Sequence, residues 1–325
     1  MKKHTTLRRT LLGLAVAACL PLAVWAQAYP SKPITLLVPF PPGGPTDLVA
    51  RVLAKKMSEQ MGQSIVIDNK PGANGNIAAV AATKAAADGY TVLYNTSSIT
   101  LSPALYKSLT YDVQRDLAPV ALTAVVPLAL VVNPTVPVNT AREFVSYAKA
   151  NPGKLSYGSA GNGNVTHLAA FQLVKHHDID ATHVPYRGSA PADVDLVAGQ
   201  IQFMTDTINS VMPFVKDKRL KLLAVTTSQR MSLFPEVPTL GETVMPGFEA
   251  GAWQGIMVPA NTPKAVVQRL NAEINKALQS AEVKEKLALQ GAEPLGSTPE
   301  EYGAYVKKEL ARWAAVVKAT GVTLE

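Results

Sequence analysis

Two glycine-rich segments of the chain have the composition of anion-binding loops. The first is PFPPGGPTD, which contains Pro42, Gly43 and Gly44 and precedes a stretch with the apolar period of a helix. Glycine allows a ligand to approach the backbone closely, and Thr46 or Asp47 can cap the helix. The unpaired N–H groups and the positive dipole end of such a helix start suit a carboxylate or a phosphate. A tight turn with a cap and no ligand is the alternative.

The second segment is YGSAGNGNVTHLAAF, which also follows a predicted strand and opens a predicted helix. Its G-x-G spacing lacks the third glycine of a dinucleotide-binding fingerprint. The two segments occupy similar positions in successive αβ series, so they can face each other across a cleft and hold one anion. A ligand with two carboxylates could use both. The candidate binding residues of this segment are Ser159, Asn162, Gly163, Asn164, Thr166 and His167.

Three further segments end predicted strands and can line the same cleft. PGANGN and NTSS, the latter with Ser97, belong to the first αβ series, and VPYRGSAP belongs to the second. In VPYRGSAP, Tyr186 can pack against a ligand and Arg187 can pair with a distal carboxylate. Arg187 suits a solvated surface equally well. Asp206, at the end of QFMTD, is a further candidate, either at the ligand or in setting the hinge.

The chain offers little for catalysis. It contains neither a G-x-S-x-G nucleophile elbow nor an H-E-x-x-H zinc motif. Beyond residue 28 the histidines are His167, His176, His177 and His183, and no spacing indicates a metal site. Ser159 with His167 could form a nucleophile and base, but this needs a third orienting group that the sequence does not identify. A secreted Ser/His hydrolase is therefore the weaker alternative to a binding protein, and no cofactor is expected.

Residues 1–28 have the pattern of a cleavable signal peptide. A basic start is followed by the apolar run LLGLAVAACLPLAVWA and an A-x-A site ending at Ala28. The predicted mature chain begins near Tyr29 and is exported. VAAC resembles a lipobox that would lipidate Cys19, and Arg8-Arg9 resembles a weak twin-arginine signal.

The mature composition excludes several classes of protein. Cys19 is the only cysteine, so cleavage after residue 28 leaves neither a disulfide nor a thiol nucleophile. Without the leader, 27 basic residues stand against 24 acidic ones, and no basic block remains. Nucleic-acid binding therefore has little support. A mildly positive surface suits a small anion better.

The order of apolar and helical segments predicts two αβ lobes. Continuous apolar strands alternate with helices, which is typical of a parallel sheet covered on both faces. LAPVALTAVVPLALVVNP is too long for an ordinary strand and could run from one lobe into the other, and LKLLAVTTS could carry the chain back. The predicted lobes are 29–124 with 226–325, and 125–225. Ligands of open parallel sheets bind beyond the carboxyl ends of the strands, which is where both glycine-rich segments fall.

Six segments in order resemble the Bug family, the periplasmic receptors of tripartite tricarboxylate transporters. They are YPSKPITLLVPFPPGGPTDLVAR, NKPGANGNIA, DGYTVLYNTSS, LSYGSAGNGNVTHLAA, HVPYRGSAPADVDLVAGQI and FPEVPTLGE. The resemblance implies a type II periplasmic-binding-protein fold, with two αβ lobes joined by two crossing strands, that closes on a ligand. It implies that residues 42–47 and 159–167 grip a carboxylate through backbone amides and bridging waters. Pro45 departs from the Ser or Ala of many members and removes one N–H.

The expected partners follow from the same resemblance. They are a small mono- or dicarboxylate and the integral membrane subunits of a transporter driven by an ion gradient. A carboxylate sensor that signals to a membrane protein is an alternative that the sequence does not separate from transport. A monomer is the default, and the identity of the carboxylate is left open.

Overall fold

The computed structural model describes residues 29–231 and 234–320. The predicted signal peptide, including Cys19 and the twin-arginine pair, lies outside the described residues. Among the residues that are described, no helix combines the length and the apolar character needed to cross a membrane.

The elements alternate as the sequence predicts. The strands are β1 Ile34–Val38, β2 Ile65–Asn69, β3 Thr91–Thr96, β4 Leu117–Val132, β5 Leu155–Ser159, β6 Ala181–Pro185, β7 Phe203–Thr207, β8 Lys221–Val225, β9 Gly251–Pro259 and β10 Glu293–Pro294. The helices are α1 Pro45–Met61, α2 Asn76–Thr83, α3 Ser98–Leu105, α4 Val113–Asp116, α5 Ala141–Ala150, α6 Val165–His176, α7 Ser189–Ala198, α8 Ile208–Lys216, α9 Leu240–Thr243, α10 Lys264–Gln279, α11 Ala281–Leu289 and α12 Pro299–Thr320.

The first lobe is built on β1, which pairs in parallel with both β2 and β3. β9 pairs antiparallel to β3 and to the first part of β4. β1 is an almost continuous apolar run because helices cover both of its faces. α1 buries Val49, Leu53 and Met57, one turn apart, against this sheet, and it ends at Gly62 in the left-handed conformation (φ 64°).

The second lobe repeats the parallel arrangement. β5 pairs in parallel with β6 and β7, and β7 and β8 pair antiparallel to the end of β4. Phe144 of α5 packs on Phe203 of β7, with ring centroids 4.8 Å apart, in a separate apolar cluster. α5 begins with a capping box in which Thr140 and Glu143 exchange hydrogen bonds with each other's backbone.

β4 joins the two lobes as one strand of 16 residues. Its first part, from Leu117 to Pro127, pairs with β9, and its last five residues pair with β7. The long apolar segment is therefore one continuous strand that belongs to both lobes. Residues on either side of the return connection are also tied to β4, because Thr226 N donates to Leu128 O and Ala250 N donates to Thr226 O.

The C-terminal helix α12 also contacts both lobes. Its Trp313 and Val317 pack in one cluster with residues of α3 in the first lobe and with Leu168 and Ala169 of α6 in the second. The carboxyl ends of β1, β3, β5, β6 and β7 lead directly into the starts of α1, α3, α6, α7 and α8. Those five helix starts define the edge of the fold where a ligand is expected.

Candidate functional site

A cavity of about 420 Å³ lies where these helix starts meet. Its volume is in the range of small-molecule sites. The wall combines apolar proline and alanine carbons with hydroxyl, amide and backbone groups. The residues that line it are Phe40, Pro41, Pro42, Gly43, Gly44, Pro45, Thr46, Leu48, Thr96, Ser97, Ser98, Ala160, Asn164, Val165, Thr166, Arg187, Gly188, Ser189, Ala190, Pro191, Thr207, Asn209, Ser210, Ala252 and Gln290.

The electrostatic character of the cavity comes from backbone rather than from side chains. Within the described part of the chain, five helices (α1, α3, α6, α7 and α8) have their first residues in or next to the wall. Each helix start carries a partial positive charge and N–H groups without an intrahelical acceptor. The described lining contains one charged side chain, the exposed guanidinium of Arg187, and no acidic side chain. The cavity therefore favours an anion.

The first glycine-rich loop leaves three N–H groups free at the start of α1. Gly43, at φ 80°, donates its N–H to Asp47 Oδ2 over 2.9 Å, so this group is already satisfied. Among the described residues, the N–H groups of Gly44, Thr46 and Asp47 have no acceptor, and Pro45 has no N–H to offer. Gly44 and Thr46 line the cavity. This loop can therefore supply a ligand oxygen with adjacent backbone donors.

Asp47 lies behind this loop and does not face the cavity. Its carboxylate accepts from Arg51 Nε at 2.7 Å and from Asn69 Nδ2 at 2.9 Å, in addition to Gly43. Burial raises the pKa of Asp47, but the hydrogen bonds from Arg51, Gly43 and Asn69 outweigh burial and hold the pKa below its ordinary value. Asp47 therefore stays ionised, its charge is balanced by Arg51, and its role is to fix the shape of the loop.

The second glycine-rich loop is held mainly by its own side chains. Asn164 caps α6 by accepting from Thr166 N at 3.1 Å, and Thr166 Oγ1 accepts from Ala160 N at 2.9 Å. His167 Nδ1 accepts from Gly163 N at 3.1 Å. The sequence predicted that these side chains face the ligand, whereas most of them take the N–H groups of their own loop. Among the described residues, Val165 N, in the cavity wall, has no acceptor.

His167 and His183 form a stacked pair beneath this loop. Their ring centroids are 3.7 Å apart with an interplanar angle of 7°, and Tyr157 stacks on His183. Burial, and then the neighbouring His183, lower the pKa of His167 to about 3, and burial lowers the pKa of His183 to about 4. Both rings are therefore neutral at physiological pH. Neutral His167 can accept the Gly163 N–H, which protonation of Nδ1 would prevent.

The hydrolase alternative is wrong. Ser159 is fully buried, and its Oγ lies 2.7 Å from His183 Nε2 rather than next to His167. The same hydroxyl also bonds the backbone of Gly161. Ser159 does not line the cavity, so it is part of the loop's internal hydrogen bonding.

Half of the binding residues predicted from the sequence line the cavity. These are Pro42, Gly43, Gly44, Thr46, Ser97, Asn164 and Thr166. The other predicted residues lie behind the wall or beside it, and they are Asp47, Ser159, Asn162, Gly163, His167, Tyr186 and Asp206. Tyr186 donates its hydroxyl to Asp195 at 2.7 Å rather than packing in the cavity. Asp206 is fully buried and accepts from Ser189 Oγ at 2.8 Å.

The structure adds cavity residues that the sequence did not single out. Ser189, within the predicted cleft segment VPYRGSAP, begins α7, Asn209 and Ser210 lie in the first turn of α8, and Gln290 follows the end of α11. The signal for the first three was available, because β6 and β7 also end at the ligand edge of a parallel sheet. Gln290 had no such signal, since it follows the end of helix α11, 80 residues beyond Ser210 in the chain.

Asn74 connects the two glycine-rich regions of the site. Its Oδ1 accepts from Ser98 Oγ at 3.0 Å in the first lobe and from Asn164 Nδ2 at 3.5 Å in the second. Its own Nδ2 lies 3.5 Å from Gly163 O. Asn74 adopts a left-handed conformation (φ 53°), which asparagine tolerates better than most residues. No group of three or more His, Cys, Asp or Glu side chains with metal-binding geometry is present in the described ranges.

The chain matches the family described as "Tripartite tricarboxylate transporter family receptor" (TctC) over residues 49–322. Protein BugT of Bordetella pertussis is 39% identical over 320 residues, which cover 97% of this chain and 98% of BugT. The "UPF0065 protein in tcbD-tcbE intergenic region" of Pseudomonas sp. strain P51 is 41% identical over 313 residues, or 95% and 93% of the two chains. The chain belongs to the tripartite tricarboxylate transporter receptor family, to which the Bug proteins also belong.

Solved structures of the same class superpose on the whole fold. Rpa4515 of R. palustris, determined with adipate, has a TM-score of 0.86 at 37% identity and covers 91% of this chain and 99% of its own. MatC from Rhodopseudomonas palustris, with bound malate, has a TM-score of 0.81 at 34% identity, with 89% and 100% covered. The predicted two-lobe, type II binding-protein fold is confirmed. The protein is a periplasmic solute-binding receptor and not an enzyme.

Proposed function

We propose that this receptor binds a small carboxylate in the cavity between its lobes and delivers it to the integral membrane subunits of a tripartite transporter. The observation that carries the proposal is the convergence of five helix starts on one cavity whose described wall has no acidic side chain. Adipate and malate, found with two similar receptors, are both carboxylates, which supports this ligand class.

The free N–H groups of Gly44 and Thr46 are the principal carboxylate donors in this proposal. A carboxylate oxygen that accepts from backbone N–H groups at a helix start gains hydrogen bonds and a favourable dipole interaction at once. The N–H of Val165, from the opposite lobe, can reach the same ligand. Such donors recognise any carboxylate, so side chains elsewhere in the wall must select the rest of the ligand.

Closure of the two lobes on the ligand is part of the same proposal. The lobes are residues 29–124 with 226–325, and residues 125–225. Only a closed arrangement presents the α1 and α6 starts to one ligand, so binding favours that arrangement. The contacts of Asn74 with Gly163 and Asn164 support this proposal, because they join the two lobes beside the cavity. Export through the cleaved leader, residues 1–28, would bring the receptor to the periplasm.

The binding proposal is tested by thermal unfolding and isothermal titration against a panel of aliphatic, aromatic and amino-acid carboxylates. Each acid is paired with its uncharged primary amide as a control. A carboxylate at 100 times its Kd raises the free energy of unfolding by about 2.7 kcal/mol, and the paired amide does not. If no carboxylate raises the midpoint above its amide, the ligand class is wrong.

The transport proposal needs a test in cells. Deletion of the gene should abolish uptake of the ligand identified above, and the wild-type gene should restore it. Unchanged uptake, with loss of ligand-dependent gene induction, would instead assign the protein to sensing.

A further inference from the structure

Two buried carboxyl groups are hydrogen-bonded to serines of the cavity wall. Asp193, in α7, is 1% exposed, and Asp206, at the end of β7, is 0% exposed. Ser189 Oγ donates to Asp206 Oδ1 at 2.8 Å, and Ser210 Oγ donates to Asp193 Oδ2 through a short hydrogen bond. Both serines line the cavity. The serine side chains therefore separate the two carboxyl groups from the cavity.

The second oxygen of each carboxyl group has no hydrogen-bond donor in the described structure. These atoms are Asp193 Oδ1 and Asp206 Oδ2, and both are buried. Two buried carboxylates without a cation are strongly unfavourable, and protonation of one of them removes most of that cost. Burial, and then the charge of Asp206, raise the pKa of Asp193, and burial also raises the pKa of Asp206. The pair therefore keeps one proton at a higher pH than exposed carboxyl groups do, and its remaining negative charge is held by the other carboxylate.

The other ionisable groups around the pair leave this charge unbalanced. Asp195 of α7 accepts from Tyr186, Lys216 of α8 and Arg187 are exposed, and β4 carries no ionisable side chain. The remaining ones on β5 and α6 are Tyr157, His167, Lys175 and His176. Within the ranges that the structure describes, no Lys or Arg forms an ion pair with Asp193 or Asp206.

The two ends of the cavity consequently differ in electrostatic character. At the α1 end, the charge of Asp47 is balanced by Arg51 at 2.7 Å, and the helix start keeps its positive character. At the α7–α8 end, the unbalanced charge of the Asp193–Asp206 pair offsets the positive helix starts. A ligand carboxylate is therefore favoured at the α1 end and disfavoured at the α7–α8 end.

The hydrogen bonds that Ser189 and Ser210 make to the carboxyl groups decide what these serines can offer a ligand. A hydroxyl group has one hydrogen, and in Ser189 and Ser210 that hydrogen is given to a carboxyl oxygen. Towards the cavity, the Oγ atoms of these serines can therefore only accept a hydrogen bond from a ligand. Two hydroxyl acceptors, one from each serine, therefore stand at this end of the cavity.

We propose that Asp193 and Asp206 are positioning residues that hold Ser189 and Ser210 as acceptors, so that the α7–α8 end of the cavity receives a hydroxyl or amino group of the ligand in preference to a second carboxylate. This inference rests on the proposed carboxylate binding at the α1 end. It adds a chemical requirement for the other end of the ligand.

The test compares the affinities of ligands that differ only at one end. The probes are butyrate, 4-hydroxybutyrate and succinate, with hexanoate, 6-hydroxyhexanoate and adipate as the longer series, measured by isothermal titration at pH 7.5. In the chain length that fits, the hydroxy acid should bind about 10-fold more tightly than either of the other two acids, the value of one net hydrogen bond. Equal affinities across a series that does bind would overturn the inference and leave the proposed function intact. Failure of both series to bind would count against the proposed function for aliphatic acids, and the inference would fall with it.

Three variants separate positioning from general structural damage. Asp193→Asn/Asp206→Asn removes the charge, so the dicarboxylate should gain about 10-fold in affinity relative to the hydroxy acid. Ser189→Ala/Ser210→Ala removes the acceptors, so the hydroxy acid should fall to the affinity of the plain acid. Asp193→Asn alone keeps a neutral donor next to Asp206 and should retain the preference for the hydroxy acid. A loss of affinity that is the same for all three ligands in every variant would show a purely structural role and contradict the inference.

Discussion

Replacement of Gly44 by proline tests the backbone grip without changing any side-chain charge. Gly44 precedes α1 at φ −75° and ψ 167°, which proline can adopt because its ring holds φ near −65°. Its N–H has no acceptor in the described structure and lies in the cavity wall. Gly44→Pro therefore deletes one candidate ligand donor and leaves the hydrogen bonds of the fold intact.

The matched control is Gly44→Ala, which keeps the N–H. An added Cβ at this position meets Pro41 O at 3.5 Å, an ordinary contact. Either substitution reduces the freedom of the unfolded chain, so each should raise the stability of the ligand-free protein by about 0.4–1 kcal/mol. A hydrogen bond to a charged group contributes about 1.5–3 kcal/mol, so the proline variant should bind its carboxylate about 10- to 150-fold more weakly than the alanine variant.

Isothermal titration gives the affinities, and thermal unfolding without ligand gives the stabilities. The expected result is weaker binding together with unchanged or slightly higher stability. Equal affinities of the proline and alanine variants would show that the Gly44 N–H does not hold the ligand, and the proposed grip of the first loop would have to be abandoned.

Three further predictions concern the stacked histidines, the core and the mouth of the cavity. The pKa of His167 in the folded protein, about 3, lies below the unfolded value of about 6.5, so the stability that neutral His167 contributes is complete above pH 6.5 and is lost as the pH falls. In chemical denaturation, the free energy of unfolding of the wild type should fall by about 2 kcal/mol more than that of His167→Asn between pH 7.5 and 5. Equal decreases in the two proteins would contradict the neutral stack. Gly255→Ala should lower the free energy of unfolding by about 1–3 kcal/mol, because the new Cβ would collide with the buried Tyr302 hydroxyl, and a variant as stable as wild type would refute that packing. In stopped-flow measurements, Arg187→Ala should slow the association of the carboxylate severalfold at low salt but not at high salt, because the exposed cation steers the anion. A difference in association rate that does not depend on salt would argue against this steering.

The sequence predicted the elements of the fold because their patterns are local. The continuous apolar strands, the helix starts after glycine and the long segment from Leu117 to Val132 are all visible in one dimension. That β4 pairs with β9 over one part and with β7 over another depends on contacts between residues more than 70 positions apart. Such pairing cannot be inferred from local periodicity.

The candidate site was predictable at the level of loops and not at the level of atoms. Residues of the type Asn, Thr, Ser and His beside glycine indicate hydrogen bonding, but not whether the partner is a ligand or the loop itself. In the second loop, Thr166 and His167 bond the N–H groups of Ala160 and Gly163. The stack of His167 on His183 joins a helix to a strand and has no signature in the spacing of the two residues.

The decisive measurement is a crystal structure of the receptor with a bound carboxylate. We expect a carboxylate oxygen within about 3 Å of Gly44 N or Thr46 N, the distance of an N–H···O hydrogen bond, with Val165 N on the same ligand. A ligand held by the Arg187 side chain alone, with the N–H groups at the start of α1 directed at solvent, would show that the helix start does not bind the carboxylate.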